Sequence, residues 1–226
     1  MIKIYLLDFS GADSDIISRS ALPLYLGKEK NEILKNERII AYSLLSYAFY
    51  ENFSRPLPPI ERDENGRPFF PSENIDFNIS HDKNLAALII SDEGKVGIDV
   101  QNTSSNVSER LIKKTEELSK KVLPLLHAWK EVEKEVPIKT LKTVIENETL
   151  CFKECNMPVA ERKEIDGKDS DLFSRWSFIE AVSKADGCGI SGIEKLSRKN
   201  EKFLVRNGYL TDGCGRLYSF AVSKKI

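Results

Sequence analysis

An acid at position 99 is the first candidate for chemistry, because it stands in a stretch with the composition of a buried strand. The segment VGIDVQ places Asp99 between two branched aliphatic residues. Side chains alternate along a strand, so Asp99 and Gln101 share one face while their apolar neighbours pack on the other. Two oxygen donors at this spacing can bind a hard cation such as Mg²⁺. The alternative is an ordinary half-exposed strand with one polar face.

A second charged pair, Glu180 and Lys184, stands in the helical stretch WSFIEAVSKAD. The spacing of four puts both side chains on one helix face, with Trp176 one turn earlier. Glu before Lys is also the favourable order for a surface ion pair, worth ~0.3–0.5 kcal/mol. That plain interpretation leaves unexplained why a bulky tryptophan lies beside a merely solvated pair.

Four further residues have side chains suited to a phosphate group. Ser80 and His81 offer a hydroxyl and an imidazole directly after the segment FNI. Arg67 in the turn NGRP and Arg38 in the first helical stretch carry guanidinium groups, which match phosphate oxygens. The alternatives are a surface or core histidine and solvated arginines. No single one of these signals decides the function.

Alternating strands and helices must position these residues. The patterns predict a strand over 2–8, a helix over about 29–50, a turn and short strand over 64–70, and a hairpin of 84–91 with 95–101 across Asp-Glu-Gly. They also predict a helix over about 108–130 broken near Pro124, helix fragments within 130–170 and an exposed loop around 153–171. Further along they predict a helix over about 171–186 ended by Gly187 or Gly189, strands over 192–197, 202–206 and 216–223, and a turn at 211–215.

The order of these elements indicates an α+β protein made of two similar halves. A polar stretch, NTSSN, follows Gln101. We therefore expect an N-terminal half over residues 1–101 and a C-terminal half over residues 102–226.

Composition limits the possible partners. The 226 residues include 34 Lys and Arg against 35 Asp and Glu, a net charge of −1, which argues against nucleic acid or a membrane surface bound by bulk charge. The N-terminus has no convincing signal peptide and no stretch is long and apolar enough to span a bilayer, so a cytoplasmic protein is expected. The four cysteines lack zinc-ligand spacing and are predicted to be free thiols.

Taken together and in order, four motifs resemble the phosphopantetheinyl transferase family, in its larger surfactin-synthetase-activating type. That family has a Gly-Lys-Pro turn, then Phe-Asn-x-Ser-His, then Gly-Ile-Asp-Ile-Glu, then Trp-x-x-Lys-Glu-Ala-x-x-Lys followed by Gly-x-Gly. The corresponding segments here are NGRPFF, FNISH, VGIDVQ and WSFIEAVSKADGCG. The motifs cover about a seventh of the chain.

The resemblance implies two halves related by a pseudo-twofold axis, with coenzyme A in the cleft between them. It implies that Asp99, Gln101 and Glu180 hold Mg²⁺ against the pyrophosphate, and that Glu180 and Lys184 are catalytic. It further implies that Arg38, Arg67, Ser80 and His81 line the nucleotide end of coenzyme A, and that Lys184 binds coenzyme A by neutralising the phosphate that becomes part of the leaving group. The implied reaction moves the 4′-phosphopantetheine arm to a serine of an acyl or peptidyl carrier protein and releases 3′,5′-ADP.

Three positions depart from the family pattern. Gln101 replaces a glutamate, Ile179 replaces a lysine, and Ile39 stands where many relatives have a hydroxyl residue. Loss of a carboxylate at position 101 predicts weaker metal binding, and loss of a cation at 179 predicts weaker phosphate neutralisation. The alternative is therefore a degenerate homologue that binds coenzyme A or a carrier protein without catalysis.

A lysine-rich helix offers a candidate docking face for the carrier protein. The stretch 108–130 carries Lys113, Lys114, Lys120 and Lys121. These lysines can meet an acidic carrier helix, or they can form an ordinary solvated face. A monomer is expected, because the two internal halves would already form the cleft.

Overall fold

The protein is described by a computed structural model that covers residues 1–13, 15, 17, 32–104, 106–128, 136–147, 149–162, 172–199 and 201–226. Within these residues the helices are α1 (Glu32–Phe53), α2 (Glu109–Val122), α3 (Leu172–Asp186) and α4 (Gly189–Lys199), with a 3₁₀ turn at Leu123–Leu125. The strands are β1 (Ile2–Asp8), β2 (Glu61–Arg62), β3 (Pro68–Phe69), β4 (Asp76–Asp82), β5 (Leu85–Ser91), β6 (Val96–Asn102), β7 (Leu126–Ala128), β8 (Ile138–Glu146), β9 (Thr149–Glu154), β10 (Val159–Arg162), β11 (Phe203–Thr211) and β12 (Leu217–Lys225).

The first sheet has five strands in the order β4-β5-β1-β8-β9. Only the β1–β8 pair is parallel. β1 is buried on both faces, which explains its nearly continuous apolar sequence. Ile4 and Leu6 pack toward the second sheet, whereas Tyr5 and Leu7 pack toward α1.

The second sheet has the order β10-β11-β12-β6, and β7 adds a short parallel pairing with β11. Its inner face packs on the first sheet through residues such as Ile98 and Phe220. Its outer face packs on the helices α2, α3 and α4 through residues such as Phe203 and Ala221. The result is a four-layer arrangement of helix, sheet, sheet and helices, in which each sheet separates two apolar cores.

The two sheets are also joined at their edges, where β4 of the first sheet runs beside β6 of the second. Side-chain oxygens at alternate positions of β4 accept hydrogen bonds from backbone N–H groups at alternate positions of β6. The four donor–acceptor pairs are Val96 to Asp76 (2.8 Å), Ile98 to Asn78 (3.0 Å), Val100 to Ser80 (3.3 Å) and Asn102 to Asp82 (2.7 Å). This side-chain ladder satisfies the outer N–H groups of an edge strand that would otherwise be buried without partners.

Several sequence predictions are confirmed. The structure has the strand at 2–8, the short strand at 68–69, the break at Pro124 and the turn within 211–215. α1 covers most of its predicted range, although residues 29–31 lie outside the described residues. Gly187 ends α3 as predicted, with a φ of 81° and its N–H donating to the Ser183 carbonyl.

The predicted hairpin of 84–91 with 95–101 is wrong. Both edges of β5 are occupied by β4 and β1, so β6 cannot pair with it and instead joins β12 in the second sheet. The actual hairpin is β4–β5, and its tight turn contains Lys83 at a φ of 54°. Asp92, Glu93 and Gly94 form the connection that carries the chain from one sheet to the other.

Other element predictions are wrong. Residues 138–146, 149–154 and 159–162 form strands, not helix fragments, and the charged side chains of the first two of these strands lie on a partly exposed part of the sheet. Residues 192–197 belong to α4, because Ile193 and Leu196 are spaced to bury one helix face against α3. The predicted helix over 108–130 ends at Val122, and residues 126–128 form β7. The predicted loop at 153–171 contains β10, and residues 129–130 and 163–171 lie outside the described residues.

The architecture is mixed and compatible with the expected α+β class. The chain exchanges strands across the expected division between residues 101 and 102. β6 enters the second sheet, while β8 and β9 complete the first. The division into halves and their pseudo-twofold relation stay predictions.

None of the helices in the described part of the chain combines the length and the apolar character that a membrane crossing demands.

The edge joint predicts a specific loss of stability. Asn78→Leu keeps a similar side-chain volume but removes the acceptor for the buried Ile98 N–H. We expect a loss of about 1–3 kcal/mol in the free energy of unfolding, measured by chemical denaturation. Asn74→Leu, at an exposed loop position, is the control and should change stability little. Equal effects of the two substitutions would contradict the importance of the ladder.

Candidate functional site

The candidate site is centred on Asp99, whose side chain is 1% exposed on β6. Its two carboxylate oxygens accept hydrogen bonds from three side chains. Ser80 Oγ donates to Oδ1 at 3.0 Å, Gln101 Nε2 donates to Oδ2 at 3.0 Å, and Lys184 Nζ donates to Oδ1 at 2.6 Å. A buried carboxylate is costly unless it is paired and hydrogen-bonded, and Asp99 has both kinds of partner.

Lys184 connects the two carboxylates that the sequence singled out. Its ammonium group lies 2.6 Å from the Asp99 carboxylate and 3.7 Å from the Glu180 carboxylate. It also donates to Ser80 Oγ at 3.1 Å and to the Ile98 carbonyl at 3.2 Å. The structure therefore brings Ser80, Asp99, Gln101, Glu180 and Lys184 together at one point between β4, β6 and α3.

Glu180 is a partly exposed carboxyl group of this cluster. Its side chain is 24% exposed. Burial, and then the nearby negative charge of Asp99, raise the pKa of Glu180, against the opposing effect of Lys184. A carboxylate with a raised pKa is a stronger base than an ordinary glutamate once it has lost its proton.

α3 also places aromatic and cationic groups near the site. Trp176 lies one turn before Glu180, and the Lys114 ammonium of α2 lies 5.8 Å from the centre of its ring. The positive charge of Lys114 acts to lower the pKa of Glu180. Lys113, Lys114 and Lys120 are exposed on α2, whereas Lys121 pairs with Glu117 and Glu194.

The close approach of α3 to β6 depends on a glycine in the strand. A Cβ atom added at Gly97 would lie 2.0 Å from the Ala181 carbonyl oxygen and 2.6 Å from the Ala185 nitrogen. Gly97 and Asp99 lie on the same face of β6. The absence of a side chain at Gly97 therefore lets α3 come near enough for Lys184 to reach Asp99.

The residues predicted to bind phosphate are placed in different surroundings. His81 Nδ1 lies 3.0 Å from a Glu37 carboxylate oxygen, and the His81 side chain is 26% exposed. Arg38 is exposed on α1, next to Glu37. Ser80 and His81 are neighbours on β4, so their side chains point to opposite sides of the strand. Ser80 points toward Asp99, and His81 points toward Glu37. The phosphate contacts of Arg38, Ser80 and His81 stay predictions.

Arg67 lies apart from Asp99 and is largely enclosed, with 9% of its side chain exposed. It makes a two-pronged ion pair with Asp76 and also donates to three backbone carbonyls. Its predicted contact with coenzyme A also stays a prediction.

The donor set of Asp99, Gln101 and Glu180 agrees with Mg²⁺ in chemical type, because all three side chains offer oxygen. In the described residues, however, no three His, Cys, Asp or Glu side chains come together as a metal cluster. Lys184 holds Asp99, and the Gln101 amide is turned to donate its N–H to the same carboxylate. Asp99 Oδ2 and Glu180 would be available to a hard cation once the Gln101 amide turns its oxygen toward that cation, while Lys184 stays on Asp99 Oδ1.

Two of the three departures from the family pattern lie in apolar cores. Ile179 is fully buried among α2, α3 and α4, and Ile39 is 5% exposed against the first sheet. Neither side chain lines the cluster around Asp99. Of the three, Gln101 is the departure that contacts the candidate metal ligands.

All four cysteines carry free thiols, as the sequence predicts. Burial, and then the nearby Asp186 carboxylate, raise the pKa of Cys188 to about 11. A thiol with this pKa is almost entirely protonated near neutrality and is a poor nucleophile.

Sequence reasoning missed two residues, Glu37 and Asp76, that hold candidate site residues in place. Asp76 was detectable, since the segment DFNISHD has polar residues at every second position and so predicts a strand with one polar face. Glu37 gave no such signal, because its contact with His81 joins a helix to a strand distant in sequence.

Comparison with known proteins gives matches over part of the chain. No family model matches. Two Escherichia coli proteins, from strains K12 and O157:H7, are named 4′-phosphopantetheinyl transferase AcpT and are each 37% identical over 87 residues. These residues make up 38% of this chain and 42% of each relative. A Haemophilus influenzae protein that carries the same transferase name provisionally is 45% identical over 49 residues, which cover 20% of this chain and 21% of that protein.

Over these stretches the chain is similar to proteins named as phosphopantetheinyl transferases. The match spans less than half the length of the Escherichia coli relatives. The more specific surfactin-synthetase-activating type stays a prediction from the motifs.

The tight contact between β6 and α3 generates one prediction. Gly97→Ala should force the strand and helix apart and destabilise the protein by at least about 1–3 kcal/mol, the usual cost of overpacking. Gly11→Ala is the control, since a Cβ atom at Gly11 has no heavy atom within 4 Å. Thermal melts of both variants provide the measurement. A Gly97→Ala protein as stable as the control would show that the approach is not constrained.

The raised pKa of Glu180 generates a second prediction. The neutral carboxyl is favoured in the folded protein, so stability from this group is present at low pH and is lost as pH rises through the raised pKa. Glu180→Gln should therefore raise the melting temperature near neutral pH, and the gain should disappear below the ordinary pKa of glutamate. Melts across this pH range, without divalent cations, measure the effect. The exposed Glu64→Gln should show no such trend, and a pH-independent difference for Glu180→Gln would contradict the assignment.

Proposed function

We propose that the protein transfers the 4′-phosphopantetheine arm of coenzyme A to a serine of an acyl or peptidyl carrier protein, with Mg²⁺ as cofactor. The observation that carries this proposal is the convergence of Asp99, Glu180 and Lys184 from two motifs distant in sequence. The transferase names of the homologues support the same reaction.

The reaction requires a base, a positive environment for phosphate and an aligned nucleophile. The carrier serine oxygen attacks the β-phosphorus of coenzyme A and forms a new P–O bond. The bond from that phosphorus to the bridging oxygen breaks, and its electron pair leaves with 3′,5′-ADP. Glu180 accepts the serine proton, and its raised pKa suits this role.

Lys184 is suited to neutralise the phosphate that becomes part of the leaving group. Its ammonium group lies between two carboxylates, so it is fixed in position before a substrate arrives. A preorganised charge of this kind stabilises the developing negative charge without further reorganisation. Asp99, Glu180 and the Gln101 amide oxygen would hold Mg²⁺, which supplies charge neutralisation to the pyrophosphate when bound.

α2 is the proposed docking face for the carrier protein. Lys113, Lys114 and Lys120 are exposed, and Lys114 lies next to Trp176 near the proposed base. Positive charge beside the site would guide an acidic carrier helix and bring its serine toward Glu180.

The test is a transfer assay with coenzyme A, Mg²⁺ and several apo carrier proteins, read by the mass added to the carrier. Wild-type protein should add one phosphopantetheine arm. Asp99→Asn should lower the transfer rate by at least about 100-fold, the usual scale for removing one preorganised group that stabilises charge. The exposed Asp92→Asn is the matched control and should retain activity.

A calorimetric titration with coenzyme A separates the possible failures. Binding of coenzyme A without transfer to any carrier would contradict catalysis and favour the alternative of a non-catalytic homologue. Absence of both binding and transfer would contradict the proposed function altogether.

A further inference from the structure

Arg67 contacts three elements at the place where the two sheets and α3 meet. Its Nη1 and Nη2 atoms donate to the Asp76 carboxylate at 2.8 Å and 2.6 Å. Nη2 also lies within hydrogen-bond distance of the Phe77 carbonyl (3.3 Å) and the Val96 carbonyl (3.1 Å). Nε donates to the backbone carbonyl of Lys184 at 2.9 Å. One side chain therefore ties β4, β6 and α3 together.

The contact with α3 is made where the helix needs a donor. The carbonyls in the last turn of a helix have no acceptor role within it, and a cation near the C-terminus is also favoured by the helix dipole. Gly187 adopts a φ of 81° just after the helix, and a Cβ atom there would lie 3.4 Å from Arg67 Cδ. The glycine therefore ends α3 in a left-handed conformation directly beside the arginine.

The environment of Arg67 is suited to protein contacts rather than to a phosphate ligand. The Arg67 side chain is 9% exposed, and that of Asp76 is 17% exposed. Asp76 neutralises the guanidinium and would repel a phosphate. Asp76 also accepts the Val96 N–H at 2.8 Å, so the pair is continuous with the side-chain ladder between β4 and β6.

We propose that Arg67 and Asp76 form a positioning clamp that fixes Lys184 against Asp99, and that Arg67 does not bind the substrate phosphates. The assignment rests on the proposed transferase function, because it explains how that site is held. Arg67 fixes the backbone of the same residue whose ammonium group contacts Asp99 and Glu180. A small displacement of a catalytic group can cost about 100-fold in rate, so this backbone contact affects turnover without touching the substrate.

The discriminating variant is Arg67→Lys. A lysine keeps the positive charge that a phosphate needs, but it cannot form the two-pronged pair with Asp76 while also bonding the Lys184 carbonyl. The clamp predicts a fall in kcat of roughly 10- to 100-fold with less than about a threefold change in KM for coenzyme A. A phosphate ligand predicts the reverse, a higher KM with kcat largely retained, and that result would overturn the proposal.

Asp76→Asn provides a second, independent variant. If Arg67 belongs to the clamp, Asp76→Asn lowers kcat in the same way as Arg67→Lys, and the double variant is little worse than either single one. If Arg67 were a phosphate ligand, removing its competing carboxylate would tighten coenzyme A binding, which would contradict the clamp. Arg62→Lys is the matched control, since Arg62 donates to the Gly66 carbonyl and the Tyr42 hydroxyl, which lie outside α3.

Hydrogen exchange separates failure of the clamp from failure of the proposed function. Amide exchange over residues 183–187, measured by mass spectrometry without coenzyme A, should quicken in Arg67→Lys and in Asp76→Asn but not in Arg62→Lys. Unchanged exchange in both clamp variants would overturn the proposal even if the wild type is an active transferase. A wild type without transfer activity contradicts the proposed function, while the exchange result still decides whether the clamp exists. Melting curves identify a variant that does not fold, in which case the other variant decides.

Discussion

The structure depends on how two sheet edges are joined without a backbone ladder between them. β4 and β6 are edge strands of different sheets, and polar side chains of β4 accept the outward N–H groups of β6. Side-chain acceptors keep the two backbones farther apart than a sheet pair would. They also leave room at the joint for side chains from a third element, α3. The candidate site lies in this space between β4, β6 and α3.

The same constraint explains why a carboxylate is tolerated at Asp99. The joint supplies Ser80, β6 supplies Gln101, and α3 supplies Lys184, so the buried charge is fully hydrogen-bonded and paired. Lys184 in turn requires that α3 lie close to β6, which Gly97 permits and Arg67 reinforces. Chemistry and folding therefore use the same contacts, and the carboxylates, the lysine and the polar ladder form one connected network.

The sequence predicted best those features that depend on local pattern. Alternation and helical spacing found β1, α1 and α3, and four short motifs found Asp99, Glu180 and Lys184, which the structure brings together. The pairing of strands was harder, because DEG between two apolar runs is equally compatible with a hairpin or with a crossing between sheets. In the structure the chain crosses from the first sheet to the second at this point, since both edges of β5 are already occupied. The sequence did not predict the strands β8 and β9, because they carry many charged residues on a partly exposed part of the sheet.

By itself, the sequence determined which residue types are available for chemistry, their order along the chain and which neighbours share a face. It could not determine which side chains are engaged in contacts within the protein and are therefore not available to a ligand. Arg67 and His81 look alike in sequence as phosphate-binding candidates, yet one is enclosed by Asp76 and three carbonyls while the other is partly exposed beside Glu37. Only the tertiary structure decided this, because burial and hydrogen-bond partners depend on segments far apart in the chain.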